Sequence, residues 1–538
     1  MGSSPSSPLR FLGIACALLL LVSACKSGTT AGGGAARSIV IGTTDSLQNS
    51  FDPAQAYDYF GTEVVFNTAQ TLVTYAPNAA KPSPLLAARL PDISADGLTY
   101  TFELRSGVKF QDGTSLDSGA VKFSLERARD FGARDSEAAG FLLSGIKDIT
   151  TPSPTTVAIR LAAPDVAFLS KLAYTVASIV SPTAYKDHVL SGSEQGAAVT
   201  ARYRTDTIVA TGPYRLTSYK EKQSLEFQAN QGYWGTRPKV QRILVRLFDK
   251  SSALKLALQN HEVDIAFRTL QPDELAAFRN ARGFQVSEGL GPGIRYAVFN
   301  VNTAPWNNVD MRRALAAAFD RRAVVDEVLK GTGKALASMI PPTFATSRPV
   351  WTDRYGTGTD TAKVDQFLQA AGVPAGRKVS VDLWFSPTHY GDTEAAVAQV
   401  IARTLEATGR FTVRISSAEW AEYGQKRRAG EMPFFLMGWY PDYLDEDDYL
   451  APFSDPNIFD PAKWNDQRML SLVSAQARQQ DAGQRGKLVE QAQSYMADQV
   501  PYVPIFQISQ FAAASDKVSG IVLDPIQIFR YWLLDKKA

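Results

Sequence analysis

The sequence predicts a large exported α/β protein with more than one hydrophobic core. Its N-terminal apolar run, FLGIACALLLLVSAC, has the length of a signal-peptide core and is too short to span a bilayer comfortably. The chain has 538 residues. A single core stops growing near ~250–300 residues, so at least two lobes are expected. Segments with strand and helix periodicity alternate along the chain without repeats, which is typical of mixed α/β proteins.

Two neighbouring segments show the clearest periodicity. LTYTFELRSGVKF alternates between apolar and polar residues, with Tyr100, Phe102 and Leu104 on one face and turn residues at both ends. This pattern predicts a strand. SLDSGAVKFSLERA changes to helical spacing, with Asp117 as the N-cap and Val121 on the apolar face. A strand followed directly by an amphipathic helix is therefore expected here.

Two later segments add a hairpin and a long helix. TGPYRLTSYKEKQSLEFQAN contains two short alternating runs around a polar turn, which predicts a β-hairpin. NNVDMRRALAAAFDRRAVVDEVLKG has helical spacing throughout, and Gly331 is the expected stop. We therefore expect one continuous amphipathic helix. Its predicted apolar face consists of Leu315, Ala318, Phe319, Val325, Val328 and Leu329.

The end of the N-terminal run resembles the lipobox of bacterial lipoproteins. In LVSAC the small residues Ser23 and Ala24 precede Cys25, and KSGTTAGGGAA follows as a flexible tether. In lipoproteins a peptidase cuts before this cysteine, and a diacylglycerol is attached to its sulfur. The resemblance implies a signal peptide over 1–24 and a lipid-anchored tether over 25–37. The alternative is an ordinary secretory peptide with a chance cysteine at its cleavage site.

Cysteine usage and charge exclude several classes of protein. Cys16 and Cys25 are the only cysteines, so removal of the first and lipidation of the second leave no free thiol, disulfide or thiolate metal site. The formal net charge of +2 falls to +1 when Arg10 leaves with the signal peptide, so no basic field indicates nucleic acid. No second long apolar stretch exists, so no transmembrane helix is expected.

One short stretch raises the question of a binding site. MGWYPDYLDEDDYL, residues 437–450, contains five carboxylates and four aromatic rings. A metal loop, a pair of catalytic acids, a solvated helix start and a pocket for a cationic ligand are all compatible with this composition. A calcium loop fits poorly, because DEDDYLAPF lacks the turn glycine and the final glutamate. From the residues alone, an acidic helix N-terminus beside core aromatics is the favoured interpretation.

Six blocks of sequence, in order, are similar to one family. They are SADGLTYTFELRSGVKFQDGTSLDSGAVKFSLERA, TGPYRLTSY, NQGYWGTRPKVQRILVRLF, ALKLALQNHEVDIAF, RYAVFNVNTAPWNNVDMRRALAAAFDRRAVVDEVLKGTGKALASMIPP and YMADQVPYVPIFQ. They resemble the family 5 extracellular solute-binding proteins, which include the dipeptide-, oligopeptide- and nickel-binding lipoproteins of ABC importers. The resemblance covers nearly all of residues 38–538. One departure is LDSGAV, where the family usually has an acidic pair before the helix.

The resemblance implies a two-lobed, hinged α/β fold of the periplasmic-binding-protein type (class II), with an extra inserted subdomain. Two crossover strands are expected near GIRYAVFN and VPYVPIFQ. The implied segments are 38–72 for the start of lobe 1, 73–204 for its inserted subdomain, 205–292 for its middle, 293–503 for lobe 2 and 504–538 for the C-terminal return to lobe 1.

The resemblance also implies a ligand site in the acidic stretch. In the oligopeptide-binding branch the matching loop reads Gly-Trp, two residues, Asp-Tyr, and its aspartate pairs with the α-ammonium group of the ligand. Asp442 falls on that aspartate, and a carboxylate accepts charge-assisted hydrogen bonds from an ammonium group. The other four carboxylates are expected to be mostly solvated. The other loop positions expected to contact ligand are Gly438, Trp439, Tyr440 and Tyr443.

Two tyrosines near the start of the chain match the family's N-terminal ligand segment. Tyr57 and Tyr59 in FDPAQAYDYF are therefore expected to face the same cleft as Asp442. Lone tyrosines are more often packing residues.

The implied function is that of a lipid-anchored extracytoplasmic substrate-binding protein of an ABC importer. It would act as a monomer without catalytic residues, metal or cofactor, on the outer face of the bacterial cytoplasmic membrane or in the periplasm. Its partners would be a small solute, most of all a di- or oligopeptide, and the permease and ATPase subunits. The alternatives are an oligosaccharide or other solute as ligand, an exported hydrolase, and a peptide-sensing lipoprotein. Against a hydrolase, the sequence has no G-x-S-x-G or H-E-x-x-H motif and only three widely spaced histidines, His188, His261 and His389.

Overall fold

A sheet of eleven strands runs through the protein in a computed structural model. The structure describes residues 37–48, 50–135, 138–203, 205–387, 389–391, 393–523, 525–526 and 528–537. The predicted signal peptide and Cys25 lie outside these residues. Among the helices of this described part, none is both long enough and apolar enough to cross a membrane.

Nineteen strands are present in the described residues, eleven of them in the large sheet. In chain order they are β1 (Ser38–Thr43), β2 (Val73–Tyr75), β3 (Pro82–Pro84), β4 (Asp92–Ile93), β5 (Thr99–Glu103), β6 (Ile146–Ser153), β7 (Thr156–Leu161), β8 (Tyr214–Lys220), β9 (Ser224–Ala229), β10 (Arg242–Leu247), β11 (Ile265–Phe267), β12 (Phe284–Phe299), β13 (Gly333–Ala335), β14 (Val379–Phe385), β15 (Phe411–Ser417), β16 (Phe434–Trp439), β17 (Tyr502–Ser515), β18 (Val518–Ser519) and β19 (Asp535–Lys536).

Fourteen α-helices cover the sheets in the same part of the chain. They are α1 (Tyr59–Thr68), α2 (Ser118–Arg134), α3 (Phe168–Leu172), α4 (Ala197–Tyr203), α5 (Ser251–Gln259), α6 (Pro272–Arg279), α7 (Val309–Ala318), α8 (Arg321–Val324), α9 (Val350–Tyr355), α10 (Thr361–Ala370), α11 (Glu394–Ala407), α12 (Trp420–Ala429), α13 (Gln467–Arg478) and α14 (Ala482–Gln499). Short 3₁₀ helices lie at Ala139–Leu143, Thr175–Ala177, Glu446–Tyr449, Ala451–Phe453 and Tyr531–Leu533.

Two long antiparallel strands, β12 and β17, join the two halves of the large sheet. The strand order is β15-β14-β16-β12-β17-β11-β1-β10-β9-β8, and β13 pairs with β17 from outside this path. The pairing of β12 with β17 shifts register between Leu290 and Ile294, beside a Gly-Pro-Gly sequence. On one side of the shift β12 also pairs with β16, whereas on the other β17 also pairs with β11. The fold is thus two-lobed, and the crossover strands are the two expected from the sequence.

Separate hydrophobic cores accompany this division. The largest is formed by buried residues between Ile294 and Phe506 and includes Trp306 and Trp351. A second lies beneath the small four-stranded sheet β4-β5-β7-β6, and a third and fourth lie against the β1 side of the large sheet. Each lobe therefore buries its own apolar side chains, as the chain length requires.

The strand, helix and hairpin predicted from periodicity are confirmed. Tyr100 and Phe102 are buried in β5, and Val121 is buried in α2. The Asp117 side chain caps α2 by accepting a hydrogen bond of 2.8 Å from the backbone N–H of Ala120. Strands β8 and β9 form the predicted antiparallel hairpin.

The prediction of a single long helix over residues 307–331 is wrong. Helix α7 ends at Ala318, Phe319 has an extended backbone, and Asp320 starts α8 by accepting a hydrogen bond of 2.9 Å from the backbone N–H of Ala323. A single π-helical turn then ends at the left-handed residue Lys330, before Gly331. The aspartate satisfies the free N–H groups of a new helix, so the chain breaks where the apolar pattern alone predicts continuity.

Helix α2 is packed closely against the 3₁₀ turn that follows it. A side chain on Gly140 would overlap the carbonyl oxygen of Ala128 and lie within 2.6 Å of the backbone nitrogen of Gly132. We expect Gly140→Ala to lower the free energy of unfolding by about 1–3 kcal/mol, because backbone atoms must move to admit the methyl group. Urea denaturation measures this. Gly145→Ala is the matched control, because no atom lies within 4 Å of its added carbon, and equal effects of the two changes would contradict the interpretation.

Candidate functional site

The acidic loop crosses from one lobe to the other. It follows β16, which pairs with β12, yet Tyr443 and Leu444 are buried in the second core, beneath the four-stranded sheet β4-β5-β7-β6. The backbone N–H of Leu444 donates to the hydroxyl of Tyr75 at 3.2 Å, and the Lys171 ammonium lies 5.3 Å from the Tyr443 ring centre. The loop therefore bridges the cleft. Tyr443, predicted as a ligand residue, is only 4% exposed, and the structure places its side chain in this core.

Two carboxylates of this loop lie together, and the described part of the chain gives neither of them a positive partner. The Tyr57 hydroxyl donates to Asp442 Oδ2 at 3.0 Å. Asp448 Oδ2 accepts hydrogen bonds from the backbone N–H of Asp442 at 2.9 Å and from Trp439 Nε1 at 3.2 Å. Within the described residues, no basic side chain forms an ion pair with Asp442 or Asp448. We call these two residues the carboxylate pair.

Burial makes this carboxylate pair resist ionisation. It raises the pKa of Asp442 to about 7, while the hydrogen bond from Tyr57 acts in the opposite direction. Burial and the neighbouring Asp442 hold the pKa of Asp448 well above its ordinary value. Asp442 also lines a narrow cavity of about 30 Å³, together with Tyr174 and Pro441. The pair thus favours either a bound proton or a cation.

The expectation that the other four acids are solvated is wrong. Asp445, Asp447 and Asp448 are 9%, 3% and 1% exposed. Asp445 pairs with Arg485, and Asp447 accepts hydrogen bonds from Gln476 and from the Tyr443 hydroxyl. Arg485 and Gln476 lie in distant segments, so the local acidic pattern does not reveal them. Only the expected start of a helix is confirmed, where Asp445 caps the 3₁₀ turn Glu446–Tyr449.

The two N-terminal tyrosines reach different parts of the cleft. Tyr57 holds Asp442, and its ring packs on Phe141 with 5.7 Å between ring centres. Tyr59 instead lies beneath the guanidinium of Arg268, whose central carbon is 3.6 Å from the ring centre. Arg268 in turn donates two hydrogen bonds, of 2.9 and 2.6 Å, to the carboxylate of Asp45.

Tyr440 stands between two arginines. Its ring centre is 5.8 Å from the guanidinium carbon of Arg268 and 5.5 Å from that of Arg295. These positive charges lower the pKa of the Tyr440 phenol, against the effect of burial. Sequence reasoning missed both arginines. The signal for Arg295 was available, since it is the one charged residue in the apolar strand segment GIRYAVFN.

Gly438 provides space for a side chain on the neighbouring strand. A side chain at this position would overlap the guanidinium of Arg295 and would lie 2.8 Å from the ring of Tyr390. Arg295 Nε donates to Glu394 at 3.1 Å, and the guanidinium lies 4.1 Å from the Tyr390 ring centre. The glycine of the loop motif is thus required by the arginine on the neighbouring strand.

The structure has two lobes joined by paired crossover strands, and charged and aromatic side chains meet in the cleft. This arrangement defines a hinged solute-binding protein. A sequence profile described as "Bacterial extracellular solute-binding proteins, family 5 Middle" matches residues 81–460. The chain belongs to this family.

Known relatives are similar over most of their length. The dipeptide-binding protein of Pseudomonas aeruginosa is 29% identical over 515 residues, which cover 91% of this chain and 93% of that protein. Heme-binding protein A of Haemophilus influenzae is 28% identical over 474 residues, 84% of each chain. Among solved structures, a dipeptide-binding protein from Pseudoalteromonas in complex with Met-Leu has a TM-score of 0.79 and 23% identity, covering 93% of this chain and all of the other. The similarity to this solved structure shows that the two proteins share a fold.

The carboxylate pair predicts an unusual response of stability to pH. Because the pKa of Asp442 is raised, its contribution to the stability of the ligand-free protein is complete below about pH 4 and is lost as the pH rises through about 7. Asp448→Asn removes one charge, and its amide oxygen can still accept both existing hydrogen bonds. We expect the variant to exceed the wild type in free energy of unfolding by at least about 1 kcal/mol at about pH 8.

Urea denaturation from about pH 4 to 8 measures this difference. The gain should shrink toward the acidic end, where the wild-type pair holds its proton. Asp353→Asn, at an exposed position on α9, is the control and should show no such trend. A constant difference between Asp448→Asn and the wild type across this range would contradict a repulsive carboxylate pair.

Proposed function

We propose that this protein captures a di- or oligopeptide and delivers it unchanged to the permease of an ABC importer. The observation that carries the proposal is the carboxylate pair, which lies in the cleft without a positive partner among the described residues. A peptide supplies the missing charge through its α-ammonium group. The similarity to a dipeptide-binding protein over 91% of the chain supports this choice of ligand.

Asp442 is the carboxylate that we assign to the ammonium group. Its Oδ2 is oriented by the Tyr57 hydroxyl, and Asp448 is oriented by Trp439, so neither side chain needs to reorganise when a ligand enters. An ammonium group donates charge-assisted hydrogen bonds to such oxygens. The bound cation also relieves the repulsion between Asp442 and Asp448. Part of the binding free energy therefore comes from this electrostatic repulsion in the free protein.

The protein acts at the outer face of the bacterial cytoplasmic membrane in this proposal. The cysteine of LVSAC carries the lipid, and the flexible tether over residues 26–36 separates the folded part from the membrane surface. The partners are a permease and its ATPase subunits. The protein functions as a monomer, without catalysis or a cofactor. The ligand enters between the lobes, and bending at β12 and β17 closes them around it.

The ammonium contact is tested by combining a change in the protein with a change in the ligand. Removing one member of a buried charged pair costs about 2–5 kcal/mol. Asp442→Ala should therefore weaken binding of a dipeptide by roughly thirty- to several thousandfold. Acetylating the dipeptide's amino group should weaken wild-type binding by a comparable factor and add little further loss in Asp442→Ala. Calorimetry on the four combinations forms a thermodynamic cycle.

Two controls sharpen this cycle. Asp448→Asn should also weaken the unmodified dipeptide, because an amide, unlike a carboxyl, cannot ionise when the ammonium group enters. Asp353→Ala, on exposed α9, should leave binding and the effect of acetylation unchanged. If acetylation and Asp442→Ala act independently, Asp442 does not bind the amine.

Anchoring is tested separately from ligand binding. Cys25→Ala removes the sulfur that would carry the acyl chains and leaves residues 37–537 untouched. We expect the variant to leave the membrane fraction while its dipeptide affinity stays at the wild-type value. Fractionation of cells followed by immunoblotting measures this, and complete retention in the membrane would contradict lipid anchoring at Cys25.

A further inference from the structure

The crossover strand β12 contains extra residues at the point where the two lobes meet. Its pairing with β17 stops at Leu290 and resumes at Ile294. In between, the three residues 291–293 of β12, Gly-Pro-Gly, face the single residue Ile508 of β17. Pro292 has no N–H group to donate to a neighbouring strand, and extra residues of this kind let a strand bend relative to its partner. Residues 291–293, which we call the hinge break, are therefore the place where β12 can change direction between the lobes.

Two buried side chains hold the carbonyl groups of the hinge break. The Tyr449 hydroxyl donates to the carbonyl oxygen of Pro292 at 2.6 Å, and Nε2 of Gln507 donates to the carbonyl oxygen of Gly291 at 2.7 Å. Tyr449 and Gln507 are both fully buried. A buried carbonyl group without a partner is costly, so these two hydrogen bonds favour one backbone conformation of the hinge break.

Tyr449 belongs to the same loop as the carboxylate pair. It is the last residue of a 3₁₀ turn and follows Asp448 directly. Asp448 accepts hydrogen bonds from the backbone N–H of Asp442 and from the indole N–H of Trp439. The backbone of Trp439 pairs with Ile294, the first residue after the hinge break. The acidic loop is thus connected to the hinge break at both of its ends, by the Trp439 backbone and by the Tyr449 phenol.

The Tyr449 ring is fixed in the largest hydrophobic core. It packs against Phe344 with 5.4 Å between ring centres. Burial, followed by the negative charge of Asp448, holds the pKa of the Tyr449 phenol well above its ordinary value. The phenol therefore keeps its proton and remains a hydrogen-bond donor. Its donation to Pro292 connects the core of one lobe to the strand that leaves that lobe.

We propose that Tyr449 is a positioning residue, which couples the capture of an ammonium group at the carboxylate pair to the bend of β12. The inference rests on the proposed function, in which Asp442 binds that group beside Asp448. A cation at the carboxylate pair fixes the 3₁₀ turn, and the turn places the phenol on the carbonyl group of Pro292. The hinge break then keeps the conformation described above, in which the acidic loop has side chains in two cores. A ligand without an ammonium group leaves the bend free.

Hydrogen exchange followed by mass spectrometry reports on the loop and on the hinge break separately. The full protein is compared with and without saturating Gly-Leu, in peptides that cover residues 437–450 and residues 284–299. In the wild type, we expect Gly-Leu to slow exchange in both segments. In Tyr449→Phe the slowing should persist in 437–450 but should be at least about threefold smaller in 284–299, because the ring keeps its packing while the hydrogen bond is lost. Calorimetry should show a loss of affinity of about two- to tenfold.

Two control variants separate coupling from a general loosening of the protein. The fully buried Tyr502 phenol also donates to a backbone carbonyl, that of Phe453 at 2.7 Å, inside the largest core. Tyr502→Phe should therefore keep the effect of Gly-Leu on both segments. Gln507→Leu removes the other hydrogen bond to the hinge break. It should speed exchange in 284–299 of the free protein, yet Gly-Leu should still slow that exchange, because Tyr449 remains.

The outcomes separate this inference from the proposed function. Equal slowing of 284–299 by Gly-Leu in the wild type and in Tyr449→Phe overturns the coupling and leaves the proposed function intact. Equal losses in Tyr449→Phe and Tyr502→Phe show a general loosening and also overturn it. In the wild type, saturating N-acetyl-Gly-Leu should slow exchange in 284–299 less than Gly-Leu does, and equal slowing contradicts a dependence on the ammonium group. If the wild type binds no dipeptide, the proposed function fails and the coupling fails with it.

Discussion

The pairing of β12 with β17 is the constraint on which the rest of the structure depends. These two strands carry the backbone from one lobe to the other, and several segments of the cleft begin on them or beside them. Arg295 lies on β12 itself, the acidic loop follows β16, which pairs with β12, and Arg268 follows β11, which pairs with β17. A change in the angle between the lobes therefore moves all of these groups relative to one another.

The cleft keeps charges that a purely structural protein would remove. Asp442 and Asp448 are held close together with no basic partner among the described residues, and the Arg295 guanidinium is buried beside Glu394 and Tyr440. Each of these groups lowers the stability of the free protein relative to apolar side chains of similar size. The large separate cores of the two lobes offset that cost. The free energy gained by packing the lobes thus permits a cleft that contains costly buried charges.

Sequence patterns predicted the architecture better than the site. Local periodicity found β5, α2 and the β8–β9 hairpin, because their apolar faces and caps lie within a few neighbouring residues. The break at Asp320 was missed, since one capping side chain overrides the apolar spacing of a longer segment. The family resemblance led to Asp442, but Asp445 and Asp447 find Arg485 and Gln476 only after the chain has folded. Burial of charge depends on such distant partners, which local composition does not contain.

The residue at position 438 is informative when related sequences are compared. The missing side chain of Gly438 leaves the volume that the Arg295 guanidinium occupies, so a larger residue there would require the guanidinium to move. In a relative with a larger residue at the position of Gly438, an arginine on the neighbouring strand cannot take the same place. Such a relative lacks a buried guanidinium at this place beside the acidic loop. The residues at these two positions on adjacent strands therefore indicate, from sequence alone, which members of the family can hold a guanidinium there.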